Sequence, residues 1–460
     1  MMNEPSITTT IDGTSVVVPP NLIAKYNRSL PRYTSYPTAP VWSDTIGVPE
    51  YENALAHVPA SGLGDQPISL YVHLPFCAAR CTFCGCHAIV TSKRDAIDTY
   101  LATLERELAL VASKIKGRAT IAQLHWGGGT PNYLDNAEIR RCMTAILRHF
   151  DIAPDVEASI ELDPRWTNPK QLALLRVMGF NRVSFGVQDT IPTVQEAIGR
   201  IHTMDDVTAI LTAARETGFK SVNIDLMYGL PFQTQTTWEQ TLRDVEHLRP
   251  DRIALFGFAY VPWLKPNQRR VEPTALPTPL QRLQLFTTAI ERFGKLGYTF
   301  IGLDHFARHD DELAIAQRAG TLHRNFQGYS TRSGLDLIGV GLSSIGFLGH
   351  SYFQNDAKLV TYERRITSGE LATTRGYRLS QDDKIRRRAI GQIFCHQRLR
   401  LDDSLADTFP NLQDLAGDGL IQIKGQDVTV TPLGRLFIRA VAAAFDQYLT
   451  EKPIQYSQAV

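Results

Sequence analysis

The chain has 460 residues, 43% of them hydrophobic, and 48 Lys+Arg against 47 Asp+Glu give a net charge of +1. This balance argues against a large surface for nucleic acid or anionic membrane. At roughly 100–200 residues per domain, the length predicts two or three domains. No apolar run reaches the ~18 residues of a membrane span and no signal peptide is visible, so the sequence predicts a cytoplasmic protein without membrane insertion.

The N-terminal stretch, residues 1–60, is polar and rich in proline, with YNRSLPRYTSYPTAP at 26–40. Its first roughly fifteen residues look disordered by composition. The remainder is too irregular to predict a strand or a helix. We interpret residues 1–60 as an N-terminal arm, either ordered or flexible.

Between residues 61 and 305, apolar runs alternate with amphipathic stretches. The pattern predicts strands at 68–74, 121–126, 157–162, 182–187, 221–229, 252–259 and 298–303. Helices are predicted at 98–111 and near 135–149, 168–178, 203–216, 234–246 and 279–294. This alternation predicts a parallel sheet with right-handed crossovers, as in a full or partial β/α barrel. An open sheet with helices on both faces is the alternative.

After residue 305 the alternation weakens. Residues 306–377 are expected to form a loop-rich extension of the barrel that covers the active site. Residues 378–460 are expected to form a mostly helical C-terminal domain. Within that domain, VTVTPLGRLFIRAVAAAFDQYL at 428–449 predicts a short strand followed by an amphipathic helix.

The most specific motif is HLPFCAARCTFCGC at 73–86. Its core, Cys77, Cys81 and Cys84, has the spacing C-x3-C-x2-C. Three thiolates on one loop can bind three irons of a cubane and leave the fourth iron open, as a catalytic metal requires. A structural zinc site that uses four cysteines is the alternative, although zinc ligands usually come as two separated pairs.

The loop resembles the signature of the radical S-adenosylmethionine (SAM) superfamily, in its cysteine spacing and in the aromatic Phe83 before the last cysteine. In that superfamily the open iron chelates the amino and carboxylate groups of SAM. An electron from the cluster then splits the sulfonium to give a 5′-deoxyadenosyl radical. The resemblance predicts a 4Fe–4S cluster on Cys77, Cys81 and Cys84. The isolated Cys142 and Cys395 are expected to be ordinary buried residues.

A glycine-rich segment, HWGGGTP at 125–131, directly follows a predicted strand. Glycine lets the backbone approach a ligand closely and offers it free N–H and C=O groups. Alone, such a run is usually only a turn. Behind the cysteine loop it resembles the radical SAM glycine motif, which holds the methionine amino group.

Polar residues close several predicted strands: Glu161, Gln188 and Asp225. In a β/α barrel the active site lies at the C-terminal ends of the strands, so these residues are functional candidates. The alternative is that they cap helices or face solvent in loops. Arg200 could pair with a carboxylate, or it could be a solvated helix-surface residue.

Over most of its length, from about residue 20 to the C-terminal helix, the chain resembles the oxygen-independent coproporphyrinogen III oxidases. The segments that carry the resemblance are PRYTSYPTA (31–39), YVHLPFCAARCTFCGC (71–86), LHWGGGTP (124–131), GFNRVSFGVQD (179–189), NIDLMYGLP (223–231), DHFAR (304–308), DDELAIAQRAG (310–320) and HRNFQGYSTRSG (323–334). The family fold is a partial barrel of β/α units with a mostly helical C-terminal domain.

This resemblance implies an oxidative decarboxylation. The family converts the ring A and B propionates of coproporphyrinogen III to vinyl groups, which gives protoporphyrinogen IX in anaerobic haem biosynthesis. It uses two SAM molecules and a low-potential electron donor, and the resemblance suggests a monomer. The residues implied to contact the first SAM are Tyr71, Gly128, Glu161 and Ile345. Those implied to line the second are Phe83, Gly129, Thr130, Gln188, Arg200, Asp225 and Ala259. No catalytic residue beyond the cluster and SAM is implied.

Cys86 is rejected as a fourth ligand, because a fully ligated cluster would leave no iron for SAM. Family enzymes carry this extra cysteine without using it as a ligand. Related haem chaperones generally lack both the C-x-C extension and the YTSYPTA arm, which are present here. His87, where many members have Asn, and the composition of residues 330–336 depart from the family pattern and bear on fine substrate contacts.

A substrate with four propionates calls for basic side chains. The candidates in matched segments are Arg28, Arg32, Arg165, Arg308, Arg324 and Arg332. Two other functions stay open on the same scaffold: a haem chaperone that keeps the cluster, and a radical SAM enzyme that degrades haem or transfers a methyl group.

Overall fold

The computed structural model describes residues 5–58, 66–449 and 456–459. The strands are β1 (Ile7–Ile11), β2 (Thr14–Val18), β3 (Ile68–Leu74), β4 (Phe76–Cys77), β5 (Ile89–Val90), β6 (Thr120–Gly128), β7 (Asp151–Leu162), β8 (Arg182–Gln188), β9 (Ser221–Tyr228), β10 (Arg252–Gly257), β11 (Tyr298–Gly302), β12 (His305–Arg308), β13 (His323–Asn325), β14 (Gly328–Ser330), β15 (Asp336–Val340), β16 (Ile345–Leu348), β17 (Ser351–Asn355), β18 (Thr373–Arg378), β19 (Arg398–Arg400), β20 (Ile421–Lys424) and β21 (Asp427–Val430). The α-helices are α1 (Pro20–Tyr26), α2 (Val48–Leu55), α3 (Arg94–Lys114), α4 (Asn136–His149), α5 (Pro169–Val177), α6 (Pro192–Ile198), α7 (Met204–Glu216), α8 (Gln235–Leu248), α9 (Pro279–Lys295), α10 (Glu312–Ala319), α11 (Leu359–Thr367), α12 (Gln381–His396), α13 (Phe409–Gly417), α14 (Pro432–Leu436) and α15 (Ile438–Ala443).

The central sheet has twelve strands in the order β11-β12-β10-β9-β8-β7-β6-β3-β15-β16-β17-β18. The seven strands from β10 to β15 run parallel, and the strands beyond them on both sides are antiparallel. Within the described ranges the two end strands, β11 and β18, do not pair with each other, so the barrel is partial and open.

The helices between the parallel strands form one outer layer. Each contacts the next along the chain, from α3 to α4 and α5, and then through α7 and α8 to α9. In a doubly wound sheet the helices lie on both faces, so helices that follow one another in the chain would not all be in contact. The partial barrel is therefore confirmed, and the doubly wound alternative is excluded.

All seven strands predicted before residue 305 are present, and so are the six predicted helices. The strand predicted at 298–303 is β11, but it runs antiparallel to β12 at the edge of the sheet. The seventh parallel strand is β15, which pairs with β3. The expected loop-rich segment, 306–377, thus contributes β15 to β18 and most of β12 to the sheet. These strands have only four to six residues each, too few to show a clear period in the sequence.

The prediction of a disordered N-terminus was wrong for residues 7–18. They form the antiparallel hairpin β1–β2, in which Ile7, Thr9 and Ile11 point inward in alternation. Asp12 and Gly13 between the strands both have positive φ, as a tight hairpin turn requires. The sequence signal for this hairpin was the alternation of inward and outward residues in its strands, together with the Asp12-Gly13 pair at its turn. The prediction of no regular structure before residue 60 was also wrong, since α1 and α2 follow the hairpin.

The N-terminal arm is ordered across the described residues 5–58 and packs onto the C-terminal segment. The Tyr33 hydroxyl donates to Asp446 Oδ2 at 3.0 Å, and the Trp42 ring stacks on Tyr352 with centroids 4.9 Å apart. In the C-terminal segment the single helix expected after residue 430 is divided into α14 and α15, because Phe437 departs from helical geometry. No helix within the described ranges is long and apolar enough to cross a membrane.

Candidate active site

The cysteine loop leaves the carboxyl end of β3, beside the glycine-rich end of β6. Parallel strands bring their carboxyl ends to one edge of the barrel, where active sites of such folds lie. All six cysteines are free thiols; Cys142 and Cys395 are buried, which confirms the expectation for these two.

Two side-chain amides from a distant segment fix the shape of this loop. Asn267 Nδ2 donates to the carbonyls of Cys81 and Cys84 at 3.1 and 3.0 Å, and to that of Thr82 at 3.1 Å. The neighbouring Gln268 donates to the Phe83 carbonyl at 3.0 Å. Four consecutive carbonyls are thereby held by residues almost two hundred positions along the chain.

Donors and cations surround the loop thiols. Thr130 Oγ1 lies 3.2 Å from Cys77 Sγ. The guanidinium groups of Arg165 and Arg200 approach Cys81 Sγ at 3.9 and 3.8 Å. Burial raises the pKa of the Cys77 thiol to about 11, so that losing its proton requires a compensating positive charge such as iron supplies. These residues fit a cluster that carries three thiolates.

The segment Gly127–Gly129 lies where a side chain has no room. A Cβ on Gly129 would stand 2.4 Å from the Pro75 carbonyl oxygen, and one on Gly128 would stand 2.7 Å from the His73 ring. Gly128 also has a φ of +119°, which favours glycine. The backbone therefore comes close to the cysteine loop, and the Gly129 N–H donates to the Leu74 carbonyl at 2.8 Å. This is the arrangement expected of a segment that approaches SAM.

One wall of the site is a chain of polar contacts from Tyr71 to Glu161. The Tyr71 ring stacks on His125, with centroids 5.8 Å apart and an interplanar angle of 15°. His125 Nε2 lies 3.3 Å from Glu161 Oε1, and the Gly128 N–H donates to Glu161 Oε2 at 3.2 Å. Burial opposes ionisation of Glu161, but these contacts outweigh it and lower its pKa. Glu161 is therefore an anion at neutral pH.

The orientation of Tyr71 is set by His73. The Nε2 of His73 lies 2.9 Å from the His87 carbonyl oxygen, which can only accept, so Nε2 carries the proton. Nδ1 is then the acceptor for the Tyr71 hydroxyl at 2.9 Å. Burial lowers the pKa of His73 to about 4, which keeps the ring neutral. His87 takes part through its backbone, so the departure at this position leaves the contact intact.

The other wall lies at the ends of β8 and β9. Gln188 has a φ of +69° at a bulge in β8, and its buried Oε1 has no hydrogen-bond partner among the described residues. Arg200 donates from Nε to the Gly186 carbonyl at 2.8 Å and pairs with Asp163 at 3.2 Å. Asp225 accepts hydrogen bonds from Ser184 and Asn223. Arg200 is thus part of this wall.

Three further expected contacts lie farther along the sheet. Gln268 Nε2 donates to the Ala259 carbonyl as well as to that of Phe83, both at 3.0 Å. The Phe83 side chain packs against a small apolar cluster that includes Phe258. Ile345 is buried with its side chain against Trp42, and its backbone lies beside Gly339, which pairs with Tyr71.

Comparison with known proteins matches residues 71–245 to the Radical SAM superfamily. The oxygen-independent coproporphyrinogen III oxidase of Escherichia coli is 44% identical over 442 residues, 94% of this chain and 95% of that protein. The enzyme of the same name from Synechocystis is 41% identical over 459 residues, 95% of this chain and 97% of its own. A solved structure of coproporphyrinogen III oxidase from E. coli, described as a radical SAM enzyme, superposes with a TM-score of 0.87 at 41% identity, covering 93% of this chain and 98% of the other.

The chain belongs to the oxygen-independent coproporphyrinogen III oxidase family. Membership of this radical SAM family implies a 4Fe–4S cluster and SAM, which the cysteine loop and the glycine segment fit. When bound, these groups supply a one-electron cleavage of the sulfonium.

The arginines selected from the oxidase motifs are mostly engaged within the protein. Arg32 pairs with Asp304, Arg324 donates to the Tyr33 carbonyl at 2.5 Å, and Arg332 pairs with Asp155 at 2.8 Å. Arg308 pairs with Asp310 at 3.1 Å, Arg165 pairs with Asp163 at 2.7 Å, and Arg28 is exposed. Only Arg32 of the six lines the buried cavity described below.

Sequence reasoning missed several residues of this oxidase site. His125 belongs to the motif HWGGGTP, but only its glycines and Thr130 were singled out. Asn267 and Gln268 had no motif to mark them; a Pro-Asn-Gln turn after a strand was the only local signal. Their role depends on contacts across the fold, which a single sequence does not display.

Proposed function

We propose that this chain catalyses the oxygen-independent oxidative decarboxylation of coproporphyrinogen III to protoporphyrinogen IX, with loss of two carboxyl groups as carbon dioxide. The observation that carries this proposal is the convergence of the three-thiol loop, the glycine segment and the Glu161 and Asp225 carboxylates at one edge of an open barrel. The family relationship across nearly the whole chain supports the same reaction. An unactivated propionate C–H bond needs a radical, which the cluster and SAM supply.

We further propose two SAM sites, one on each wall. Tyr71, Gly128 and Glu161 lie on the β3–β7 side, where the Glu161 carboxylate suits an amino group. Gln188 and Asp225 lie on the β8–β9 side, where the buried Gln188 Oε1 has no partner among the described residues and calls for a donor. Equilibrium dialysis of SAM would give two molecules per chain, and Gln188→Ala would reduce the number to one.

A propionate of the substrate is expected to bind beside buried guanidinium groups that form no ion pair within the described ranges, here those of Arg282 and Arg439. A cavity of about 40 Å³ is lined by Arg32, Arg282 and Arg439, among others. The described contacts of Arg439 are to carbonyls and the Ser457 hydroxyl, and burial, then repulsion from Arg32, lowers its pKa to about 9. Arg282 donates to the Phe258 carbonyl at 3.0 Å, while its Nε has no partner among the described residues. A buried guanidinium group without a carboxylate partner favours the binding of an anion such as a propionate.

The deciding experiment is an anaerobic assay with reconstituted cluster, SAM, a low-potential reductant, an electron acceptor and coproporphyrinogen III. Protoporphyrinogen IX and 5′-deoxyadenosine should both form, and neither should form with Cys81→Ala. With Arg282→Gln the KM for coproporphyrinogen should rise more than kcat falls. Deoxyadenosine without porphyrin turnover would indicate another substrate. If an intact cluster gives neither product, the chain instead resembles the haem chaperones, and haem titration becomes the next measurement.

The monomeric state and the cytoplasmic location stay predictions from the sequence. The requirement for a low-potential electron donor follows from the proposed reaction.

A further inference from the structure

A basic and apolar surface lies directly outside the cysteine loop. It consists of Trp263, Leu264, Lys265, Arg269, Arg270 and Arg80, and we call it the loop-side patch. Trp263 and Leu264 are 48% and 65% exposed, although both side chains are large and apolar. Exposed apolar residues flanked by cations are typical of protein–protein interfaces, in which Trp and Arg are enriched.

The acidic residue nearest in sequence to the loop-side patch is Glu272, two positions after Arg270. Neither 75–94 nor 252–271, the two segments that supply it, contains Asp or Glu. Within the described ranges, none of its four cations forms an ion pair with a carboxylate; Arg269 and Arg270 donate to the carbonyls of Pro262 and Arg80, at 3.3 and 3.1 Å. The loop-side patch thus carries positive charge that no carboxylate compensates among the described residues, in a chain whose net charge is +1.

The patch is attached to the cluster ligands. Arg80 lies between Cys77 and Cys81 in the loop, and Asn267, between Lys265 and Arg269, donates to the Cys81 and Cys84 carbonyls. Tyr71, Glu161 and Asp225, by contrast, lie on the strands that line the barrel opening. The loop-side patch therefore meets the ligand loop through Arg80 and Asn267, and it contains none of the residues implied to contact SAM.

Each SAM cleavage consumes one electron, which must come from outside the chain. We propose that the loop-side patch binds an acidic, low-potential one-electron carrier protein, which loses one electron to the cluster and leaves oxidised. This inference rests on the proposed function, because it assumes a redox-active cluster. Acidic residues around the carrier's cofactor would match Lys265, Arg269 and Arg270, and Trp263 would supply the apolar centre of the contact.

The test uses the holoenzyme and a purified acidic flavodoxin in its hydroquinone form. The variant Lys265→Glu/Arg269→Glu reverses two charges of the patch. The control Lys116→Glu/Lys220→Glu makes the same change in net charge at exposed positions that precede β6 and β9, at the opposite edge of the sheet. Calorimetry measures the Kd of flavodoxin, and stopped-flow absorbance measures cluster reduction by flavodoxin or by dithionite.

We expect the patch variant to raise the Kd of flavodoxin about tenfold or more at low salt, and the control to change it less than about twofold. Reduction by flavodoxin should slow in the patch variant, while reduction by dithionite should stay at the wild-type rate.

Equal Kd values for patch variant and control would overturn the proposal. A rate that falls equally with dithionite would also overturn it, because the patch would then serve the loop's structure. A raised KM for coproporphyrinogen with dithionite as reductant would assign the patch to the substrate. Because the Kd of flavodoxin is measured without turnover, it tests the patch independently of the proposed decarboxylation.

Discussion

Glu161 on β7 contacts two groups of β6: its Oε2 accepts the Gly128 N–H at 3.2 Å, while its Oε1 lies 3.3 Å from His125 Nε2. Because these contacts keep the carboxylate charged, we expect Glu161→Gln to weaken SAM binding about tenfold, the value of one charge-assisted hydrogen bond. Isothermal titration with SAM checks this. The control Glu216→Gln alters an exposed residue at the end of α7 and should leave the Kd unchanged. An unaltered Kd for Glu161→Gln would remove this residue from the SAM site.

The pH dependence of SAM binding should come from Asp225. Burial, reinforced by the negative charge of Glu161, raises its pKa to about 6, against the hydrogen bonds from Ser184 and Asn223 and the charge of His305. The carboxyl group is therefore neutral below about pH 6 and anionic above it. We expect SAM affinity to fall as the pH drops through about 6, and the step to vanish in Asp225→Asn. Glu161 has a lowered pKa and contributes no step there. A step that persists in Asp225→Asn would point to another group.

A buried carboxyl group far from the site should govern stability. Glu107 on α3 accepts hydrogen bonds from the Tyr362 hydroxyl at 2.6 Å and the Gly341 N–H at 2.7 Å, yet burial raises its pKa to about 7. Because the folded pKa lies above the unfolded value, the proton stabilises the fold below about pH 4.5, and this contribution is lost as the pH rises through 7, by about 3 kcal/mol at most. Urea midpoints of the apoprotein should therefore fall between about pH 5 and 8. In Glu107→Gln this part of the fall should be absent.

Alanine substitutions at Gly129 and at a helical glycine, Gly391, should have opposite effects on stability. Gly129→Ala places a Cβ 2.4 Å from the Pro75 carbonyl oxygen, a backbone atom that cannot turn aside. We expect a loss of about 3 kcal/mol or more and failure to retain iron. Gly391 in α12 has no atom within 4 Å of such a Cβ, so Gly391→Ala should raise the thermal midpoint slightly. Similar midpoints for the two variants would contradict the geometry.

Asn267 should matter for keeping the cluster rather than for folding. Asn267→Ala removes the donor to three loop carbonyls, so the ligand loop should sample more conformations and release iron sooner. Iron per chain after reconstitution and the rate of cluster bleaching in air measure this, while the thermal midpoint of the apoprotein should change little. Asn136→Ala, at an exposed position in α4, is the matched control. Normal bleaching in Asn267→Ala would show that the loop holds its own shape.

The sequence predicts those parts of the fold and site whose information is local. Strand and helix periods located the barrel elements up to residue 305, and the cysteine and glycine motifs are each contiguous. The pairing of β15 with β3 is non-local, since Asp336 pairs with Ile68, more than half of the chain away. The residue pattern of neither segment indicates which strand it pairs with. Arg282 and Arg439 were not among the arginines selected from the sequence for the same reason, since their lack of an ion pair among the described residues is a property of the folded protein.

The pairing of β3 with β15 has a consequence for synthesis on the ribosome. The strand that leads into the cysteine loop has β6 on one side early, but its other side stays open until residues 336–340 have emerged. Exposed strand edges recruit other chains and cause aggregation. Nascent and truncated chains that end before residue 336 therefore expose an apolar, aggregation-prone strand edge beside the three thiols of the cysteine loop. We expect such chains to need chaperones until residues 336–340 have emerged.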